Sequence, residues 1–154
     1  MNKATLLFSL LFILAFSVSA QKKQMTWTVP DTWVDTKKSS TMRITTLAVK
    51  DNQALIISVT KFPGNVGGEL ANVNRWRRQL GLPAIKAADL AKSLEVIESK
   101  AGKAKLLNIT NNGQQMLALM MPFDGATYFF KMTGKEEEVK KQKDAMVKLA
   151  KTFK

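Results

Sequence analysis

Residues 103–132 read KAKLLNITNNGQQMLALMMPFDGATYFFKM: three apolar runs separated by two short polar breaks. The breaks, Asn111-Asn112-Gly113 and Asp124-Gly125, are built from residues that tolerate positive φ, which two-residue hairpin turns require. The spacing therefore predicts strands over Lys103–Thr110, Gln114–Met121 and Ala126–Met132, folded as an antiparallel meander that a run at Leu94–Glu98 extends.

Upstream, Met25–Val29 alternates enough for a short strand, and Pro30-Asp31 turns the chain into Trp33. Lys37-Lys38-Ser39-Ser40 reads as a polar loop. Met42, Ile44, Leu47 and Val49 predict a further strand, and Asp51-Asn52 is a hairpin turn into a strand over Gln53–Lys61. There Leu55, Ile57 and Val59 share one face while Ser58 and Thr60 share the other. The segment from Phe62 to Gly68 is expected to end that strand, because proline lacks the amide donor and its three glycines favour unusual backbone angles. Leu70, Val73, Trp76 and Leu80 then recur at helical spacing, predicting a helix over Glu69–Leu80 that Gly81 and Pro83 terminate. A short helix is expected over Ala87–Lys92. Downstream of the meander, Thr133 with Glu136 fits a capping box, and Val139, Met146, Leu149 and Phe153 mark the buried stripe of a closing helix. The fold class is α+β: an antiparallel β-sheet of about six to seven strands flanked by helices.

The amino terminus has a different character. Met1-Asn2-Lys3 is a short positive start, residues 4–18 are almost wholly apolar, and Val18-Ser19-Ala20 places small residues before the polar Gln21. This is the pattern of a secretory signal peptide, with cleavage expected after Ala20. Its apolar core, about 15 residues, is shorter than the roughly 20 a membrane span needs. Residues 21–154 then form one domain, expected to be soluble and periplasmic or secreted. The chain has no cysteine, so packing must supply the stability.

The whole chain carries 24 basic and 12 acidic residues, a formal charge of +12, and the leader accounts for only one of the cations, Lys3. Such a balance suits an acidic protein surface or an anionic membrane surface; nucleic acid is an unusual target for an exported domain. Lysines spread from Lys22 to Lys154 also suit plain solubility.

With no histidine and no cysteine, the usual base near neutral pH, the thiolate nucleophile and the common zinc and haem ligands are missing. The reading is non-enzymatic, with no cofactor and no metal expected. Met116, Met120 and Met121 are the remaining soft ligands, but strand alternation turns Met121 away from the other two, so core packing is their expected role.

Val29-Pro30-Asp31-Thr32-Trp33 near the start, and Tyr128 to Gly134 leading into the last helix, resemble the PsbP-like fold superfamily, which includes the DcrB-like envelope proteins. The segment from Phe62-Pro63-Gly64 through Gly67-Gly68 to Arg77 is similar to a group of exported bacterial proteins of that type. The resemblance implies an α/β/α sandwich and an accessory protein of an envelope complex, respiratory or cytochrome-containing assemblies included. It carries no catalytic residue with it.

Gly64 to Arg78 is the most specific feature of the sequence, and two readings of it stay open. As a docking surface, Arg75, Arg77 and Arg78, with Asn72 and Asn74, would meet an acidic partner, since arginine and tryptophan favour interface hot spots. As an anion or lipid site, Gly64, Gly67 and Gly68 would offer backbone amides ahead of the helix start. Against the second, Glu69 already places a negative charge in the first turn, and the arginines lie roughly 10 Å further on at 1.5 Å per residue. The plain alternative to both is a tight loop that seats the helix on the sheet with Trp76 buried.

Overall fold

The computed structural model describes residues 23–154. The predicted signal peptide and its cleavage point lie outside the described residues. Seven antiparallel strands form one sheet: β1 (Trp33–Asp35), β2 (Arg43–Val49), β3 (Asn52–Pro63), β4 (Leu94–Ser99), β5 (Gly102–Asn111), β6 (Gln114–Phe123) and β7 (Ala126–Lys135). Their order is β1-β2-β3-β7-β6-β5-β4, two meanders joined where β7 pairs with β3. The crossover between the meanders carries α1 (Glu69–Gln79) and α2 (Ala87–Ser93).

Both signalled hairpins form. Asn112 and Gly113 have φ of 48° and 72°, and Asp124 and Gly125 have 46° and 71°, the two successive positive values that match the twist of the flanking strands. The alternation Leu55, Ile57, Val59 against Ser58, Thr60 also holds: the first three are buried and the other two are half-buried on the opposite face.

One face of the sheet is covered by the end of the chain. α3 (Glu136–Val139), a 3₁₀ turn (Lys140–Gln142) and α4 (Lys143–Lys151) pack Val139, Met146, Leu149 and Phe153 into a core with Leu47, Ile57, Leu119 and Phe130. Phe130 stacks on Phe153 at 5.0 Å and meets Trp27 edge-on at 5.1 Å. Trp33 is buried here and donates its indole N–H to Gln142 Oε1 at 2.8 Å. On the other face α1 seats Val73 and Trp76 on Leu107, Met116, Met120 and Phe129, with Trp76 edge-on to Phe129 at 5.5 Å. Met121 lies in the first core and Met116 and Met120 in the second, as alternation requires.

Four local expectations are corrected. Met25–Val29 is extended but joins no sheet strand; instead Thr26 N–H bonds Lys154 O at 2.9 Å and Lys154 N–H bonds Thr26 O at 3.2 Å, so this segment pairs with the far end of the chain. β3 does not stop before Phe62, because Phe62 pairs with Thr127 and Pro63 with Ala126. Lys61 N–H points toward β2, bonding Met42 O at 3.3 Å. Pro63, two residues on, turns its nitrogen to the same side, beyond the Arg43–Thr60 pair where the β2 ladder ends and no amide donor is called for. Thr133 belongs to β7, opposite Met116, so the capping box does not form and Lys135 precedes the helix without a side-chain cap. The closing helix keeps its buried stripe but is broken by the 3₁₀ turn.

Candidate functional site on the α1 face

α1 begins at Gly68 and ends in a hydrogen-bonded reversal: Gly81 N–H bonds Arg78 O at 3.0 Å and Leu82 N–H bonds Arg77 O at 2.9 Å, with Gly81 at φ 72°. This pair of bonds satisfies carbonyls the helix end leaves free. Between these limits the 100° step of the helix sorts the candidate residues into three groups.

Asn72 and Asn74 are both occupied, Asn72 on the buried side of the helix and Asn74 on the side met by the returning loop after Gly81. Asn72 is buried; its amide donates to Gly68 O at 2.7 Å and to Val66 O at 3.2 Å, and its oxygen accepts from Arg75. It holds the preceding loop, in which Val66 sits at φ 50°, a conformation that costs a β-branched residue energy. Asn74 makes a two-way bond with Ile85, donating to its carbonyl at 3.0 Å and accepting from its amide at 2.8 Å. Arg77, half-buried, donates Nε to Pro83 O at 2.7 Å and so braces the helix end.

Arg75 and Arg78 are exposed. Arg78 points outward from the helix, whereas Arg75 and Gln79 share the flank beside β7. There Lys131 donates to Gln79 Oε1 at 3.1 Å. Burial lowers the Lys131 ammonium below the usual lysine range, and the neighbouring Arg75 and Arg43 charges lower it further. Arg43 enters from β2, opposite Thr60, and Lys131 stands opposite Ser58. Three cations from three elements thus meet beside α1, and among the described residues none of them pairs with a carboxylate: the ion pairs are Lys37–Asp35, Lys103–Glu98, Lys105–Glu69 and Lys143–Glu95. Sequence reasoning missed Arg43 and Lys131. Lys131 does carry a signal, a cation that follows the apolar run Tyr128-Phe129-Phe130 within the strand.

The glycine loop is tied down. Gly64 N–H bonds Gly125 O at 2.9 Å and Gly68 N–H bonds Asn65 O at 3.0 Å, while Thr127 Oγ1 donates to Gly64 O at 2.6 Å. Gly64, Gly67 and Gly68 have φ of 70°, 81° and 85°, so all three supply backbone freedom. Glu69 in the first helical turn pairs with Lys105 of β5, placing an acid where an anion would sit. The hollow beside Gly64 is small, about 290 Å³. A larger cleft, about 860 Å³, opens on the opposite face between residues 28–32, the β2–β3 hairpin and α4, with Val29, Leu55 and Leu149 in its floor and Asp31, Asp144 and Lys148 at its mouth.

The two-faced sheet with its paired meanders is a PsbP-like fold. The chain is similar in structure to cyanobacterial PsbP (CyanoP) from Synechocystis, with a TM-score of 0.50, 16% identity, and coverage of 84% of this chain and 85% of that one. LpqN of Mycobacterium tuberculosis, a protein involved in cell envelope biogenesis, gives 0.46 at 16% identity over 84% and 81%. A Bacteroides thetaiotaomicron protein gives 0.46 at 10% identity, the match spanning 84% of this chain and 44% of that one. No family model matches the chain, and no curated protein sequence does.

Proposed function

We propose that this is an exported, non-enzymatic accessory protein that binds an acidic protein partner through the basic flank of α1. One observation carries the reading: among the described residues Arg75, Lys131 and Arg43 converge without a carboxylate, although burial of Lys131 and repulsion by its two neighbours act against gathering them. Positive charges held together at such a cost are expected where a partner supplies the counter-charge. The leader pattern supports export, and the absence of histidine and cysteine supports a binding role over catalysis. Among the described residues no helix is long and apolar enough to cross a membrane. A membrane complex of the envelope, respiratory or cytochrome-containing assemblies included, is the class of partner to search.

The test is affinity capture from solubilised envelope with wild type beside an Arg75→Ala/Arg78→Ala variant. Arg77 is left intact because it braces the helix end. The expected result is an acidic component enriched by wild type, lost by the variant, and rebinding as purified protein with an affinity that falls as salt rises. Equal recovery by both proteins would overturn the reading.

A further inference from the structure

The strands beside α1 show what shape of partner segment the three cations can accept. On this face the register sets Val34 opposite Ala48 and Ala48 opposite Ile56; one row on come Thr46, Ser58 and Lys131, and next Arg43, Thr60 and Phe129. α1 covers only the β7–β6–β5 side, ending at Phe129. Thr46 Oγ1 donates to Lys38 O at 3.2 Å, so the loop after β1 folds over the outer strands on the same face. Between that loop and α1 the β3–β7 strip stays partly exposed, a shallow trough. Its floor is Ile56, 39% exposed, with half-buried Ser58 and Thr60 and the exposed Thr133. Lys131 stands in the floor, Arg43 at one side and Arg75 on the helix wall.

We propose that this trough takes a single extended acidic segment of a protein partner, with carboxylates seated among Arg43, Lys131 and Arg75 and an apolar side chain on Ile56. The proposal rests on the docking function above and specifies its partner. Three features favour a protein segment. Ile56, Ser58 and Thr60 are all partly exposed in succession along β3, which suits a chain lying along the strand. Thr60 presents a hydroxyl along β3, Ser58 Oγ donates to Lys131 O at 3.4 Å and keeps its acceptor side, and Ile56 offers an apolar seat further on, a mixture that matches peptide chemistry. Lys131 is recessed at the foot of α1, whereas a flat bilayer surface meets protruding cations such as Arg78 first. The depressed proton affinity of Lys131 agrees with this: an incoming carboxylate restores the favourable environment its ammonium lacks.

The probe is a labelled peptide of alternating glutamate and threonine, compared with its glutamine-for-glutamate counterpart and with phosphatidylglycerol vesicles. The acidic peptide is expected to bind and to shift the backbone amide resonances of Ile56, Ser58, Thr60 and Lys131. Lys131→Gln and Arg43→Gln should each weaken binding about five- to tenfold, while Arg78→Gln, with the same change in net charge, should stay within about twofold. Lys131→Arg should retain binding, and unfolding curves of the variants should match wild type, separating loss of the site from loss of the fold. Equal weakening by Arg78→Gln and Lys131→Gln would overturn the trough in favour of bulk charge. Binding to vesicles with no peptide-induced shift in β3 or β7 would overturn it in favour of a membrane surface. If envelope capture is lost in the Arg75→Ala/Arg78→Ala variant but kept in Lys131→Gln and Arg43→Gln, docking stands and the trough fails; if no partner is captured at all, the docking function itself fails.

Discussion

The two faces of the sheet use the same strands for opposite purposes. Toward α4, residues such as Leu47, Ile57, Val59, Leu119 and Phe130 are sealed from water. Toward α1, cover lies over β5 to β7, and Thr46 and Ala48 of β2 are buried as well, while Val34, Ile56 and the half-buried hydroxyls of β3 stand beside three cations that pair with no carboxylate among the described residues. Burial of apolar area is the main favourable term in folding, so the α4 face holds the fold together. The α1 face is sealed where Trp76 and Val73 lie and over Thr46 and Ala48, and leaves β3 partly bare between them. Rigid strands with an open surface make a precise platform, because ordering them costs a partner nothing.

The contrast is broken most directly by truncation on each face. Phe130→Ala removes a ring held between Phe153 and Trp27 and should cost about 3–5 kcal/mol in urea unfolding, whereas Ile56→Ala on the open face should cost less than about 1 kcal/mol. Similar costs for the two would mean that the α1 face is as closed as the other. Next in size is Asn72→Ala, which strips Val66 O and Gly68 O of a buried donor; a loss of about 1–3 kcal/mol is expected, with faster amide exchange in residues 64–68. Unchanged exchange there would show that the loop holds itself.

The smallest effect concerns Lys131. Its folded proton affinity is depressed by burial and then by Arg75 and Arg43, so in the window just below its ordinary value of 10.5 the unfolded chain binds the proton that the folded chain has released. Stability contributed by this group therefore rises with pH through that window. Lys131→Met should remove that rise and, at neutral pH, increase stability by less than about 1 kcal/mol. Destabilisation by Lys131→Met would mean that the lysine is structural, holding Gln79 and α1 in place.

How far these features were readable from sequence depends on how local their causes are. The meander was legible because Asn112-Gly113 and Asp124-Gly125 fix their own backbone angles. The helix over Glu69–Gln79 was legible from Val73, Trp76 and the Gly81 stop. Pro63 was not, because its place in β3 depends on where a different strand begins. Thr133 was not, since a capping box and a strand end look alike until Met116 claims the residue. Among the site residues, Arg75 and Arg78 are exposed where the spacing put them. The engagement of Asn72 and Asn74 depends on how loops 64–68 and 81–86 return to the helix, which no spacing encodes. Arg43 and Lys131 lie far from α1 in sequence, so only the β2–β3–β7 register brings them to it.

The reciprocal bonds between Thr26 and Lys154 have a consequence for connectivity. The two ends of the folded domain lie side by side at the rim of the α4 core, so a linker of a few residues would close the backbone into a ring. Such a ring, reopened at the Asn112-Gly113 turn, would preserve every strand pairing, since β5 and β6 meet through their ladder as well as through that turn. The pairing of the seven strands is in this sense independent of where the backbone is opened.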